Sequence, residues 1–401
     1  MNFLKIAFLF VLVTLAGVQS HGQQIGLSLH KDSTRAIIPF RTYNNLIVIS
    51  VNINGRMVLD FIVDTSVQFT VLSEKSIGDE LGFNYLRKIP MGTSAEGANF
   101  GYSANGLNIE LGNGVFSGDN HSILVLENDF LGLSNLAQVP IYGLIGKDIF
   151  EHFVVEIDQD RQVLILHEPE GFVVSAGYDP IPMKIENGKP KINVDTIFEN
   201  WDELSEYMLL KTGAAHTVFF DSDQNIYLIP PKKIETILGV SGAGEVGGYI
   251  GRVREVKLGS NVFEEPIASF TKEQEKDKNR GSIGMGFLSR MNMIVDFQGG
   301  TLFLKPSRSF GKTFEYDLSG IKINTVGEAF YIRYVQKGSP AEKVGINTGD
   351  QLVAVNGERL TSKNFNKVVS VFSSKVGKKI TLTLSKDGTE TEVTFKLMRF
   401  I

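Results

Sequence analysis

Short apolar runs rich in Val, Ile, Leu and Phe recur along most of the chain, and Gly, Asn or Asp interrupt them every few residues. Residues 46–53, 58–63, 154–157 and 163–166 read this way, and runs so short, β-branched and turn-bounded predict strands. Apolar positions at helical spacing are brief: 146–152, 286–291 and 364–374, where Phe365, Val368, Val369 and Phe372 share one face. The glycine-rich stretch 242–251 reads as a hairpin, and Asn356-Gly357 and Asp387-Gly388 are hairpin-turn dipeptides. The pattern predicts a mainly β protein.

Two of the strand-to-turn junctions echo each other. In "VLDFIVDTSVQFTVL" the apolar run Phe61-Ile62-Val63 ends at Asp64, with Thr65 and Ser66 next. In "YMLLKTGAAHT" the run Met208-Leu209-Leu210 ends at Lys211, with Thr212 and Gly213 next, 147 positions later. A second pair supports the repeat: "YGLIGKDIFEHFVVEIDQDRQVLILHEP" from residue 142 and "GSIGMGFLSRMNMIVDFQGGTLFLKP" from residue 281. Leu144 and Ser282 lie 138 positions apart, as do Asp158 and Asp296, so one register spans the whole segment. Two similar halves joined by the Pro- and Gly-broken stretch 168–190 explain both pairs.

A different composition begins near Phe314. A strand, a Gly-containing loop and a second strand lead to Ser339-Pro340-Ala341, which opens a short helix ended by Gly345, and Gly349-Asp350 starts the next strand. The expected organisation is a processing segment over 1–20, one lobe over 21–170, a second over 171–310, and a small domain over 312–401.

The processing segment rests on Lys5, an apolar core over 6–16, and small residues up to Ser20. It predicts a signal peptide and an exported protein, periplasmic or secreted, with no membrane span after cleavage. The 401 residues include no cysteine, which removes disulfides, thiol nucleophiles and thiolate metal sites. A net charge of −5 with no basic cluster argues against nucleic acid. His21, His30, His121, His152, His167 and His216 are scattered without metal-ligand spacing, so neither metal nor cofactor is expected. His216 reads as a satisfied structural histidine. The mixed-sign run 272–280 reads as a solvated loop.

An acid ending a buried strand, followed by a hydroxyl and small residues, is unlike a surface loop. Two such turns meeting across a pseudo-two-fold axis bring two side chains within reach of each other. Were both carboxylates, one would hold a proton, and the pair could activate a water and polarise an amide carbonyl.

With these turns and their Gly-rich partners the chain resembles the pepsin and retropepsin aspartic peptidases over roughly residues 35–307. The resemblance implies two pepsin-like β lobes in a bilobal aspartic-peptidase fold. It places Asp64 on the first catalytic aspartate, and Leu144-Ile145-Gly146 and Ser282-Ile283-Gly284 as the segments supporting the two turns. It places Thr65 and Thr212 where the family cross-links the turns by hydroxyl-to-backbone hydrogen bonds, and a substrate-covering hairpin within 92–106. Two departures stand out: Lys211 takes the second aspartate's position, and Ser66 replaces the glycine that Gly213 retains in the second turn. A lysine facing Asp64 favours its ionised form and implies a structural ion pair between the lobes.

The last segment resembles a PDZ domain, a small α+β fold, over about 314–401. The resemblance implies that the loop Gly327, Glu328, Ala329 and Phe330 holds a peptide carboxylate. The following strand, including Ile332, would add an extended peptide, with Val368 and Phe372 on the opposite wall. The expected partner is a peptide or unfolded protein segment, including a protein C-terminus. The leading expectation is an exported peptide-binding protein with a degenerate peptidase centre. The alternatives are an active aspartic endopeptidase using Asp64 and a PDZ-based scaffold of the cell envelope.

Overall fold

The computed structural model describes residues 26–30, 32–94, 97–112, 114–117, 121–137, 139–221, 228–241, 244–271, 281–326, 328–361, 364–386 and 388–401. The expected signal segment 1–20, His21, the charge run 272–280, Gly327 and Asp387 lie outside these residues. The fold is mainly β, as the short turn-bounded apolar runs predict. Described strands form sheets of 11, 15 and 6 members, and the helices are short.

The 11-stranded sheet belongs to the first half. Its central strands Leu46–Ile53 and Met57–Val63 pair antiparallel, and Phe61, Ile62 and Val63 are fully buried. Burial of such side chains contributes about 1.5–3 kcal/mol each, which anchors the end of this strand where the first turn begins. The long hairpin Asn84–Ser94 and Gly97–Leu107 pairs at one edge of the sheet, in the region expected to carry a covering hairpin.

Three strands of the first half leave it for the second sheet. There Arg35–Pro39, Val163–His167 and Val154–Asp158 run side by side with Met291–Asp296, Thr301–Pro306 and Asp179–Glu186. The seam pairs Val155 with Val295, Glu156 with Ile294 and Ile157 with Met293. Under the 138-residue repeat Glu156 corresponds to Ile294. The antiparallel register is therefore symmetric about that pair, and a local two-fold axis passes through it. The repeat is thus a spatial relation as well as a sequence one.

The six-stranded sheet of the C-terminal segment has its own core, in which Ile332, Leu352, Phe365, Ile380 and Leu382 are almost fully buried. The Pro340–Lys343 helix starts on Ser339, whose Oγ accepts from Glu342 N, and Gly345 follows it in the left-handed region (φ 80°). Asn356 and Gly357 both have positive φ, as a tight hairpin demands. The predicted helix over 364–374 divides into an α-turn, Phe365–Val369, and a 3₁₀ turn, Ser370–Ser373.

The segment is tied back to the second lobe at Arg252. That guanidinium donates to the carbonyls of Ile401 (3.0 Å), Glu265 (2.7 Å) and Phe314 (2.8 Å), and it faces Glu315 at 3.4 Å. Arg399 also clasps Glu315, and Phe314 and Ile401 are buried in the core of the lobes.

Candidate functional site

Each turn sits at the end of a strand held by a parallel neighbour. Phe61 to Val63 pair with Gly143–Ile145, while Leu209 to Lys211 pair with Ser282 to Gly284. The glycine closing each supporting segment marks a close backbone approach. A Cβ on Gly146 would lie 1.9 Å from the Asp64 carbonyl oxygen, and one on Gly284 would lie 2.4 Å from that of His216. No side chain fits at either place.

The turns are locked together by four reciprocal hydrogen bonds. Thr65 N donates to Thr212 Oγ1 (3.0 Å) and Thr212 N donates to Thr65 Oγ1 (3.2 Å). Thr65 Oγ1 donates to Leu210 O (2.5 Å) and Thr212 Oγ1 to Val63 O (2.9 Å). Both threonines are buried, so every donor and acceptor of the grip is satisfied internally. The 147-residue relation between the turns is carried by these bonds.

Asp64 is 6% exposed, and its Oδ1 accepts from Ser66 N (2.8 Å) and Ser66 Oγ (2.8 Å). The hydroxyl that distinguishes Ser66 from glycine therefore serves Asp64. Across the turn pair the carboxylate faces Gly213, where a Cβ would lie 2.3 Å from Oδ2. Only glycine at 213 leaves room for the acid.

The expected ion pair is absent. Among the described residues no Asp64 oxygen lies within 4.0 Å of the Lys211 ammonium, which makes no hydrogen bond. Both hydrogen bonds to the carboxylate come from its own turn and fall on Oδ1, and Oδ2 is turned toward Gly213. Lys211, half-buried at the strand end, keeps access to water. The structure thus brings Asp64, Thr65, Ser66, Thr212 and Gly213 together, with Gly146 and Gly284 beneath, and leaves Lys211 unpaired.

Behind Lys211 lies a polar pair that has no equivalent in the first turn. His216 Nε2 meets Ser282 Oγ at 2.9 Å, whereas the corresponding residues of the first half are Phe69 and Leu144. Burial, with the Lys211 charge adding to it, pushes the His216 imidazole down to about 3. At that value it is a poor base and stays neutral, which suits a structural role. Below the ordinary value of 6.5 the unfolded chain takes up a proton that the folded one refuses until about 3. Stability is therefore expected to fall as pH drops through that window. Melting temperature followed against pH checks this: His216→Asn should flatten the acid side of the profile, and an unchanged slope would assign the loss to other groups.

In the C-terminal segment the residues expected to bind peptide are placed differently. Phe330, Ile332, Val368 and Phe372 are core side chains, 4%, 1%, 6% and 4% exposed, and Phe330 stacks on Phe365 at 4.6 Å. All four belong to the single small core of this sheet. Glu328 is exposed and Ala329 half-buried in the hairpin turn. The strand Ala329–Val335 cannot accept a peptide strand either, since Ile321–Val326 flanks one side and residues 349–351 hydrogen-bond to the other. The free edge is Ile321–Val326. A sequence signal for this exists: so few residues separate Val326 from Ala329 that they must form a hairpin turn.

No group of His, Asp and Glu capable of holding a metal occurs among the described residues, and no described helix is long and apolar enough to cross a membrane.

Residues 331–386 match the PDZ domain family. The chain is 35% identical over 85 residues to the carboxy-terminal processing protease CtpA of Bacillus subtilis (strain 168), a match covering 20% of this chain and 18% of that protein. It is 28% identical over 127 residues to a probable CtpA-like serine protease of Staphylococcus saprophyticus, covering 31% and 26%. It is 32% identical over 75 residues to syntenin-1 of Mus musculus, covering 19% and 25%. The chain thus spans about a quarter or less of the length of these curated relatives. Among solved structures it is similar to an aspartic proteinase from Irpex lacteus, with TM-score 0.46 and 13% identity over 70% of this chain and 99% of that one. It is also similar to basic 7S globulin from soybean, with TM-score 0.40 and 9% identity over 70% and 97%.

Proposed function

We propose that this is an exported peptide-binding protein whose lobes are built around a degenerate aspartic-peptidase centre and work beside a peptide-binding PDZ domain. The observation that carries the reading is the turn pair itself. The threonine cross-link and the Asp64–Gly213 contact have the geometry of two apposed catalytic turns, but the second acid is Lys211. Paired-carboxylate catalysis needs a shared proton between two acids. One carboxylate bound by Ser66 and one free ammonium cannot reproduce that state. Peptide handling is supported by the PDZ match and by the similarity to CtpA-like proteases. Export rests on the N-terminal sequence alone.

Full-length protein incubated with denatured protein substrates from acid to neutral pH is expected to give no cleavage above background by mass spectrometry. Lys211→Asp alone is expected to leave it inactive, because Ser66 still occupies one oxygen of Asp64. A second reading is favoured by the missing ion pair: Asp64 is not neutralised by Lys211 and stays available to activate water. Pepstatin-sensitive cleavage abolished by Asp64→Ala would establish that reading and overturn the first.

A further inference from the structure

The free edge strand Ile321–Val326 begins at a turn whose amides are already occupied. Ser319 N and Oγ donate to Asp317 Oδ1 at 2.9 and 2.6 Å, and Gly320 N donates to Asp317 Oδ2 at 3.1 Å. Ile321 N donates to Ser319 Oγ at 3.1 Å. Gly320, at φ 80°, bends the backbone so that successive N–H groups converge. Such a nest is how a backbone holds an anion, and strand-adding domains use nests to capture a ligand's terminal carboxylate. Here the chain's own carboxylate fills it.

The two edges of this sheet differ in kind. Thr389–Lys396 carries Glu390, Glu392 and Lys396, the charges with which proteins blunt an edge against added strands. Ile321–Val326 carries one charge, Lys322, with Val326 59% exposed and Ile323 half-buried against the apolar core. Its start borders a gap of about 10 Å³ toward the second lobe, lined by Ile234, Thr236, Tyr316, Asp317, Gly320 and Lys322 among others, which is room for a water and not for a chain. The strand has a vacant hydrogen-bonding side and apolar contacts.

We propose that the edge Ile321–Val326 receives an internal, extended polypeptide segment and not a chain terminus, because Asp317 occupies the nest that a terminal carboxylate would need. A ligand carboxylate arriving there finds the Asp317 carboxyl already in its place, with Lys322 beside it, and amides without free N–H groups. An internal segment needs only main-chain hydrogen bonds along the edge and side-chain contacts around Ile323. The inference rests on the peptide binding proposed above and specifies the class of peptide.

The test selects binders to the full-length protein from one random-peptide library displayed in two ways, with free C-termini and embedded between Gly-Ser flanks. Enrichment from the embedded library is expected. Enriched sequences made as free acid and as amide should bind within about twofold of each other, and should protect amides of 321–326 from hydrogen exchange. Enrichment confined to the free-terminus library, with a fixed last residue and about tenfold weakening on amidation, overturns the inference but leaves peptide binding standing. Protection at the lobes in place of 321–326 overturns it as well. No enrichment from either library overturns the peptide-binding reading and this inference with it. Asp317→Ala, checked for folding by its melting curve, is expected to gain about tenfold for the free acid over the amide.

Discussion

Arg252→Ala is expected to destabilise the protein by about 3 kcal/mol and to separate the unfolding of the C-terminal segment from that of the lobes. Three carbonyls lose their donor, those of Phe314 and Ile401 in a buried setting and that of Glu265 in a part-buried one. Glu315 keeps Arg399, so the damage falls on the orphaned carbonyls and on the docking more than on an abandoned charge. Differential scanning calorimetry should show one transition becoming two, and limited proteolysis should cut near residue 314 faster. Arg252→Lys is expected to rescue little, since a compact ammonium cannot span three acceptors in a fixed fork. A single unshifted transition in the alanine variant would show that the segment docks by apolar contacts alone.

The second large effect is expected at Gly146. An alanine there brings a Cβ to 1.9 Å from the Asp64 carbonyl oxygen and 2.6 Å from Val67, and backbone cannot yield as a flexible side chain can. The cost is about 3 kcal/mol, the upper end for overpacking. The same displacement moves Asp64 away from Ser66 and Gly213, so the Thr65–Thr212 cross-link should weaken too. Gly239→Ala is the control, because a Cβ there meets nothing within 4 Å. Chemical denaturation of the two variants checks the contrast, and equal stabilities would mean that the turn relaxes freely.

Much of this architecture is legible in the chain because its causes are local. Short, turn-bounded apolar runs at 58–63 and 207–211 make buried strands. Asn356-Gly357 makes a tight turn by permitting positive φ at both positions. Ser339 caps a helix three residues ahead of its partner amide. The internal repeat is equally visible, since similar sequences fold alike. With it comes the presence of Lys211 at the repeat position of Asp64, a matter of identity that no folding can alter.

Other features depend on which of several competing partners a side chain finds once the chain has folded. A lysine opposite an aspartate suggests an ion pair, but the folded turns hold the carboxylate on Ser66 and place the Lys211 ammonium beyond 4.0 Å. The apolar face of the 364–374 helix suggests a groove wall, but a sheet this small needs Phe365, Val368 and Phe372 for its core. Which strand is an edge is a property of the whole sheet, so only the strand order shows that Ile321–Val326 and not Ala329–Val335 lies at one. Arg252 joins residues 13, 62 and 149 positions away, separations over which no periodicity carries information. By itself the sequence determined the duplicated turn, the lysine at the repeat position of Asp64 and the small appended domain. The tertiary structure decided what Asp64, Lys211 and Asp317 touch, because a buried polar group takes whichever donor or acceptor the finished packing places within about 3 Å.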